Sequence, residues 1–299
     1  MPAQLNDSTL PPSFETVFNQ ALKYSSAPVL IAQLFSVLNK PDGTMGEIVD
    51  LIRTDATLAV ETLRLANSPL YGGLQVETLE DALFRLGTRE IVKLASHLVA
   101  STWMTIKIPM DEWDSRGFLR QCVCRAVAAE FICRKLNSSA PELAYTAALL
   151  QDAGRLALVT ATPGFIPVIA ATARLEKIYW ADAEATLLGF DCITLGTALL
   201  KAWQFPEGLL MAIEFMREPG KAPESFQPIL TAILAARLVA DSINPHVINT
   251  GNLFAIDLAW LKQNQVTQRL LEDTMVDTIS RVSEQLNTKL QPGVIEFQR

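Results

Sequence analysis

The sequence predicts an all-α protein built in two helical parts, and three observations support that fold class. Apolar side chains recur at helical spacing along most of the chain, whereas the apolar–polar alternation of strands is almost absent. Residues that favour helix starts and stops lie at the ends of these periodic segments. Hydrophobic residues make up 49% of the 299 residues and charged ones 19%, so the chain can bury a large core.

The first helical part, residues 13–105, follows a polar leader over residues 1–12. Apolar positions recur at helical spacing between Val29 and Leu38, and the next helix is expected over residues 44–53. The leader has neither the basic nor the apolar stretch of a signal peptide. We therefore expect a cytoplasmic protein.

Capping residues mark three further helices in the first part. Asp55 is expected to cap a helix that ends at Asn67, with Asn67 in the left-handed conformation. Thr78 and Asp81 form a capping-box pattern for the next helix, which stops at Gly87. The last helix of this part begins directly after that glycine.

The second part, residues 106–299, carries eight predicted helices, and several of them begin at a proline, which suits a first helical turn. They are expected at residues 116–136, 141–160, 167–178, 181–188, 193–203, 206–215, 226–242 and 265–290. The last one is amphipathic, because apolar side chains from Val266 to Leu290 fall close to one stripe. It should pack on its own bundle, with a homodimer contact as the alternative.

Charge and cysteine content limit the function classes. The net charge is −7, whereas a protein that grips nucleic acid through phosphates usually has a basic face, so a nucleic-acid partner is not expected. The four cysteines form no CxxC pair and fit buried thiols in a reducing compartment. The apolar runs stay below the ~18 residues that span a bilayer, so no membrane partner is expected.

Three stretches of the chain together resemble a known family. The first part contains four matching fragments: DATL from Asp55, RLANS from Arg64, LEDA from Leu79 and RLG from Arg85. AALLQDAG from Ala147 is similar to an "LLHDIG" segment. GFDCITLG from Gly189, with Trp203 and Pro206 beyond it, is similar to a "G-x-D-H-x-x-x-G … W-x-x-P" segment. Over residues 10–243, the chain thus resembles the HDOD family, which is related to the HD phosphohydrolases.

The resemblance implies a dismantled metal site. HD enzymes hold a divalent metal with a His, a His-Asp pair and a later Asp. The first His position falls here on Gln121, the His-Asp pair on Gln151 and Asp152, and the later Asp on Asp241. A further family His falls on Cys192, and a later His pair falls on Met216 and Arg217. Every imidazole is replaced, and the chain's two histidines, His97 and His246, match no motif position. We therefore expect no metal, no other cofactor and no catalytic residue.

The resemblance further implies a role in bacterial signal transduction. We interpret the chain as a non-catalytic regulatory module that binds signalling proteins or a small ligand. One alternative is a metal-dependent phosphohydrolase in which Asp152 and Asp241 still hold Mg²⁺, a cation that prefers oxygen ligands. Another is a transcriptional regulator that uses residues 79–98 as a helix-turn-helix, although acidic residues lie among its basic ones.

One charged residue is expected to take the place of the metal. Arg125 lies four residues after Gln121 and thus on the same helix face. The family alignment turns this face toward Asp152, and a buried carboxylate without a metal would cost several kcal/mol unless it is paired. We expect the guanidinium of Arg125 to reach Asp152, Asp241 or both; the alternative is solvent or a local pair with Glu130.

Overall fold

The computed structural model describes residues 11–23, 30, 32–34, 36–37, 43–73, 75–103, 114–136, 140–244, 253–286, 289–295 and 297. For residues 99–103 only the backbone is described. Most of the leader, four positions (29, 31, 35 and 38) of the helix expected between Val29 and Leu38, the boundary at 105–106, and His246 lie outside these ranges; the other six positions between 29 and 38 are helical.

The all-α fold class is confirmed: the described residues form α-helices and short 3₁₀ turns and contain no strand. The α-helices are α1 Phe14–Lys23, α2 Met45–Arg53, α3 Ala56–Ala66, α4 Leu79–Leu86, α5 Thr88–Trp103, α6 Ser115–Lys135, α7 Pro141–Leu150, α8 Ala153–Ala161, α9 Ile166–Glu176, α10 Trp180–Leu188, α11 Cys192–Ala202, α12 Glu207–Glu214, α13 Gln227–Ile243, α14 Leu258–Gln263 and α15 Gln268–Leu286. The 3₁₀ turns are Pro163–Phe165, Phe215–Arg217, Pro219–Lys221 and Glu224–Phe226.

Side-chain caps explain where many of these helices begin. Thr44 accepts a hydrogen bond from the backbone of Glu47 while the Glu47 carboxylate accepts one from the backbone of Thr44, a full capping box for α2. The Asp55 carboxylate accepts from the backbone of Leu58, and the Thr78 hydroxyl accepts from that of Asp81. α4 ends at Gly87, whose positive φ of 77° suits glycine.

Helix α6 is the centre of the second part. It packs on α7, α13 and α15, and most of its side chains from Gly117 to Cys133 are buried. The neighbouring helices complete the bundle: α7 contacts α12 and α13, and α8 contacts α11. Because three helices surround it, α6 buries the polar side chains of Gln121 and Arg125 together with its apolar ones.

The first part consists of α2, α3, α4 and α5, which pack on one another, and α5 also packs on α6 and α7. The residues of α1 were expected to belong to the first part, but the helix that they form packs on α8 and α11 of the second part. Its Val17 is fully buried, and the ring of Phe14 lies edge-on to that of Phe190 at 5.2 Å between centroids. These apolar contacts attach α1 to the bundle.

The structure differs from the predicted elements in four places. The helix expected over 141–160 is broken, since α7 ends at Leu150 and α8 starts at Ala153. Asn67 has a φ of −93° and is therefore not left-handed. Its amide group instead bridges two segments, because it donates to the carbonyls of Leu63 and Val76 and accepts from the backbone N–H of Val76. Helices α1 and α14 were not predicted.

Among the described residues, one segment, Glu224–Ile243, is long and apolar enough to cross a membrane by length and composition, contrary to the sequence expectation. Two bent combinations of helices, α7–α8 with α9 and α10 with α11, pass the same test only when each combination is counted as one span. The segment contains α13, which lies against α6, α7 and α15. It also carries the charged residues Arg237 and Asp241. Packing within the bundle accounts for its apolar surface.

Candidate functional site

Three structural elements bring the expected site residues together in the middle of the bundle. Gln121 and Arg125 lie one turn apart on α6, and both side chains are fully buried. Gln151 and Asp152 occupy the break between α7 and α8. Asp241 comes from α13. The break matters because Asp152 makes no capping hydrogen bond with its side chain, so its carboxylate is available to α6.

The guanidinium of Arg125 lies between the two carboxylates. Its Nη1 donates to Oδ2 of Asp152, and its Nη2 donates to Oδ1 of Asp241 at 3.0 Å. The Asp152 side chain is 2% exposed and that of Asp241 is 22% exposed. A charged guanidinium that bonds two carboxylates supplies positive charge where a buried acid needs it.

The two glutamines that stand at histidine positions act as hydrogen-bonding side chains. Nε2 of Gln121 donates to Oδ1 of Asp241 at 2.5 Å. Nε2 of Gln151 donates to the carbonyl of Ala148 at 2.7 Å, while its Oε1 accepts from Nη1 of Arg237, also at 2.7 Å. Both amides are thus engaged with residues around the carboxylates.

Arg237 is a second buried cation at this site, and sequence reasoning missed it. Its Nη1 lies 3.8 Å from Oδ1 of Asp152, and its guanidinium lies 5.0 Å above the ring of Phe254. Burial, together with the nearby Arg125, lowers its pKa to about 10, so it is charged at neutral pH. A signal was present in the sequence, because this arginine interrupts an apolar helix one turn before Asp241.

The electrostatic balance keeps Asp152 ionised. Burial alone would raise the pKa of this carboxyl, but Arg125, Arg237 and Arg155 outweigh burial and hold the pKa below its ordinary value. The same contacts raise the pKa of Arg125 despite its burial. At neutral pH the pair is therefore a buried ion pair.

A second buried cluster lies next to this ion pair on α8, α10 and α11, and sequence reasoning identified only its cysteine. Glu184 is fully buried and accepts hydrogen bonds from Nε1 of Trp180 at 2.7 Å and from the backbone N–H of Cys192 at 2.8 Å. Arg155, also buried, lies 4.9 Å above the ring of Trp180. Burial raises the pKa of Glu184, and Arg155 opposes that shift.

Cys192 lies in this cluster as a protonated thiol. Burial, followed by the neighbouring Glu184, raises its pKa well above the ordinary range. Thiolates rather than thiols attack substrates and bind metals, so this environment suits neither role. The backbone explains the closeness of α8 and α11, because a Cβ on Gly154 would lie 2.0 Å from the carbonyl oxygen of Cys192.

The remaining motif positions do not join the Arg125 cluster. Met216 is buried in the core. Arg217 is partly exposed and pairs with Asp182 at 2.5 Å and with Asp191 at 3.1 Å. This arginine therefore stabilises the start of α11 and its surroundings.

The donor set around Asp152 does not fit a metal ion. The two carboxylates are already bonded to a guanidinium, and two amides and a protonated thiol stand at the positions of the family's imidazoles. In the described part of the chain, no group of three or more His, Cys, Asp or Glu side chains is arranged to hold a metal. Of the chain's two histidines, His97 lies within the described residues, where it is partly buried on α5.

The segment 79–98 forms two helices joined at Gly87, but its basic side chains are used within the protein. Arg85 donates to the carbonyl of Ala66 at 3.1 Å, and Arg89 lies 3.5 Å from the carboxylate of Glu142. Lys93 bonds Glu90 and Glu130. Each of these three side chains thus has an acceptor within the protein, although Arg89 stays 69% exposed.

Comparison with known proteins identifies relatives across most of the chain. The sequence model of the HDOD domain matches residues 25–219. An uncharacterised protein of Treponema pallidum is 21% identical over 217 residues, which are 71% of this chain and 41% of that protein. This chain therefore spans about two-fifths of that relative.

Solved structures with the same fold are known. A candidate signal transduction protein of Marinobacter aquaeolei VT8 matches with a TM-score of 0.67 and 20% identity, over 89% of this chain and 59% of that one. An HDOD domain protein of Geobacter sulfurreducens matches with a TM-score of 0.64 and 21% identity, over 90% of this chain and 98% of that one. A candidate phosphohydrolase of Shewanella amazonensis matches with a TM-score of 0.64 and 24% identity, over 90% of this chain and 96% of that one. At these identities, the likeness establishes the fold.

Proposed function

The chain belongs to the HDOD family, and we propose that it is a non-catalytic signalling module that binds a protein or a small ligand. Membership of the family supports the signalling role. The buried site supports the proposal that the protein binds its partner or ligand without catalysing a reaction. A partner signalling protein, a homodimer and a small ligand are all compatible with it.

The observation that carries the proposal is the position of Arg125 between Asp152 and Asp241. A metal ion would have to displace a guanidinium that is fully buried and bonded to both acids. That displacement would leave a buried positive charge without its partners, which costs several kcal/mol. Arg125 also occupies one oxygen of each carboxylate, Oδ2 of Asp152 and Oδ1 of Asp241.

The rival activity is metal-dependent phosphoester hydrolysis, and it can be tested on the purified protein. The test measures bound metal by elemental analysis, and turnover of bis(p-nitrophenyl) phosphate and of cyclic dinucleotides with added Mg²⁺ or Mn²⁺. We expect substoichiometric metal and no turnover above background. Asp152→Asn is the control variant: turnover in the parent protein that this variant loses would overturn the proposal.

We also propose that the protein works in the cytoplasm with a soluble signalling partner. In support, all four cysteines are buried thiols that form no disulfide. A pull-down from the native cytosol with mass-spectrometric identification would name the partner. The comparison bait is Arg125→Ala. A partner retained only by the parent protein would depend on the buried ion pair.

A further inference from the structure

A buried arginine next to the ion pair has charge but no hydrogen-bond acceptor. Arg155 of α8 is 1% exposed, and among the described residues neither its Nη1 nor its Nη2 has an acceptor. Its guanidinium lies 4.9 Å above the ring of Trp180. That contact stabilises the charge but gives the N–H groups no oxygen to bond. Because buried charged groups normally have hydrogen-bond partners, Arg155 requires an acceptor.

A buried carboxylate oxygen close to Arg155 also lacks a partner. Oδ2 of Asp152 accepts from Arg125, whereas its Oδ1 has no hydrogen bond within the described part of the chain. Asp152 stands three residues before Arg155, a spacing that puts two side chains on one side of a helix. Arg155 lowers the pKa of Asp152 and opposes the rise in the pKa of Glu184, so its charge is near both carboxyls. It hydrogen-bonds neither of them.

We propose that a buried water molecule bridges the guanidinium of Arg155 and Oδ1 of Asp152. Polar groups that are near each other but beyond direct hydrogen-bond distance are often joined through water. A buried water makes about three hydrogen bonds to groups that otherwise lack partners. Its oxygen accepts from the Nη groups of Arg155, and its two hydrogens are donated to Oδ1 of Asp152 and to the carboxylate of Glu184.

The charges around this position favour water over an ion. An anion would bond Arg155 but would face the carboxylates of Asp152 and Glu184. A cation would suit Oδ1 of Asp152 but would be repelled by Arg155 and by Arg237, whose Nη1 lies 3.8 Å from that oxygen. Water donates, accepts and carries no charge. It is also small enough for a place where Asp152, Arg155 and Glu184 are each at most 2% exposed.

The water would connect the two buried clusters of the bundle, the Arg125 ion pair and the Glu184 cluster on α10 and α11. It would thus complete the hydrogen bonding of a site that does not fit a metal. The proposal does not depend on whether the protein acts by binding or by chemistry, so its failure would leave the proposed function standing.

A crystal structure of the full chain, at a resolution that shows ordered water, tests the proposal directly. We expect an electron-density peak roughly 2.7–3.2 Å from an Nη atom of Arg155 and from Oδ1 of Asp152. Bromide added to the crystals distinguishes an anion from water by its anomalous scattering. An anomalous peak at this position, a direct bond from Arg155 to a protein acceptor, or the absence of any peak would overturn the proposal.

Magnetic relaxation dispersion of the water oxygen nucleus tests the same proposal in solution, because it counts long-lived internal waters. A chain of this size holds on the order of ten, so the difference between parent and variant is the readout. Arg155→Met keeps an apolar stem beside Trp180 and removes the donors, and we expect at least one water fewer. Arg64→Met is the matched control, because Arg64 is 75% exposed and its loss should leave the count unchanged.

Circular dichroism should confirm that both variants fold. Equal counts in the parent protein and in a folded Arg155→Met variant would contradict the proposal. If Arg155→Met does not fold, the electron density of the parent protein decides.

Discussion

Three arginines, Arg125, Arg155 and Arg237, are the largest side chains among the fully buried residues of the described chain. They lie among the carboxylates of Asp152, Asp241 and Glu184. Hydrogen bonds and ring contacts accompany the charges, as buried ions require. Such a core is sensitive to the loss of any one member, since a remaining charge would be buried without a counter-ion.

Arg125→Ala should therefore lower the stability of the protein strongly. Loss of one partner from a buried pair costs roughly 3–5 kcal/mol, which lowers the melting temperature by on the order of 10 °C in a chain of this size. Thermal unfolding followed by circular dichroism measures the effect. Addition of Asp152→Asn should recover part of it, because the double variant no longer buries that unpaired carboxylate.

The matched control for Arg125 is Arg134, whose guanidinium pairs with Glu130 and Glu142. The side chain of Arg134 is 49% exposed. Solvent screens that pair, so Arg134→Ala should cost only ~0–1 kcal/mol. An Arg125→Ala protein as stable as the Arg134→Ala protein would show that the buried pair contributes little.

His97 should make the stability depend on pH. Burial lowers the pKa of its imidazole, and Glu61 offsets this shift in part. The unfolded chain takes up a proton near the ordinary pKa of about 6.5, whereas the folded protein does so only at lower pH. The histidine's contribution is therefore complete above about pH 6.5 and is lost as the pH falls toward the folded pKa.

Urea unfolding on both sides of about pH 6.5 measures this dependence. His97→Gln should remove the loss of stability that occurs as the pH falls below about 6.5, and His246→Gln should leave that loss in place. Burial raises the pKa of Glu184, so its contribution is lost as the pH rises and has the opposite sign. Both variants keep that group, and it cancels in the comparison. An unchanged acid-side loss in His97→Gln would refute the assignment.

The sequence indicated part of this residue-scale picture. The motif alignment pointed to Gln121, Gln151, Asp152 and Asp241, and spacing on α6 directed attention to Arg125. Arg155, Arg237 and Glu184 were not identified as site residues, because a charge that interrupts an apolar helix, as Arg237 does, does not reveal its counter-ion. The partners come from other helices, and only the packing of α8, α10 and α13 brings them into range.

At the scale of elements, local capping signals predicted helix boundaries well. Asp55 and Thr78, which were predicted as caps, begin their helices with side-chain hydrogen bonds, and Gly87 ends one; Thr44 also caps its helix, although it was not predicted as a cap. Elements without such signals were missed or merged. The break at residues 151–152 lies in an apolar run with no proline, and it is held by tertiary contacts of Arg125 and Arg237 that periodicity cannot indicate.

Helix α15 illustrates how packing selects one helix face. It was predicted over 265–290, forms over Gln268–Leu286, and packs on α6 and α13. Leu271 is fully buried there, whereas Val276 is 63% exposed. Leu271→Ala should cost roughly 2–5 kcal/mol, while Val276→Ala should stay within about 0.5 kcal/mol.

Urea unfolding of the two α15 variants provides the measurement. Helix propensities of ordinary residues span only about 0.7 kcal/mol, so propensity cannot explain a large gap between the two variants. Similar small losses in both would mean that α15 contributes little to the packing of the bundle.

At the scale of the molecule, polar contacts join the two helical parts. Lys93 of α5 bonds Glu130 of α6 at 2.5 Å and lies 5.8 Å above the ring of Tyr145 in α7. Burial, and next the nearby Glu90, raise the pKa of Tyr71 to about 12, so its hydroxyl stays protonated beside that carboxylate. The guanidinium of Arg281 in α15 opposes this rise in the pKa of Tyr71, so α15 brings a positive charge close to the first part.

These contacts predict that Lys93→Met loosens the first part more than the second. Lys93 is 12% exposed, and its removal takes a cation from two largely buried carboxylates, Glu90 and Glu130. Methionine keeps the apolar stem against Tyr145, so the change isolates the charge. Hydrogen–deuterium exchange should report faster exchange in α2 to α5 and little change in α6 to α8, because stability is divided among cooperative units. Arg64→Met is the control, since Arg64 is 75% exposed and pairs within its own helix with Glu61. Equal acceleration in both parts would mean that the chain opens as one unit and that Lys93 does not couple two.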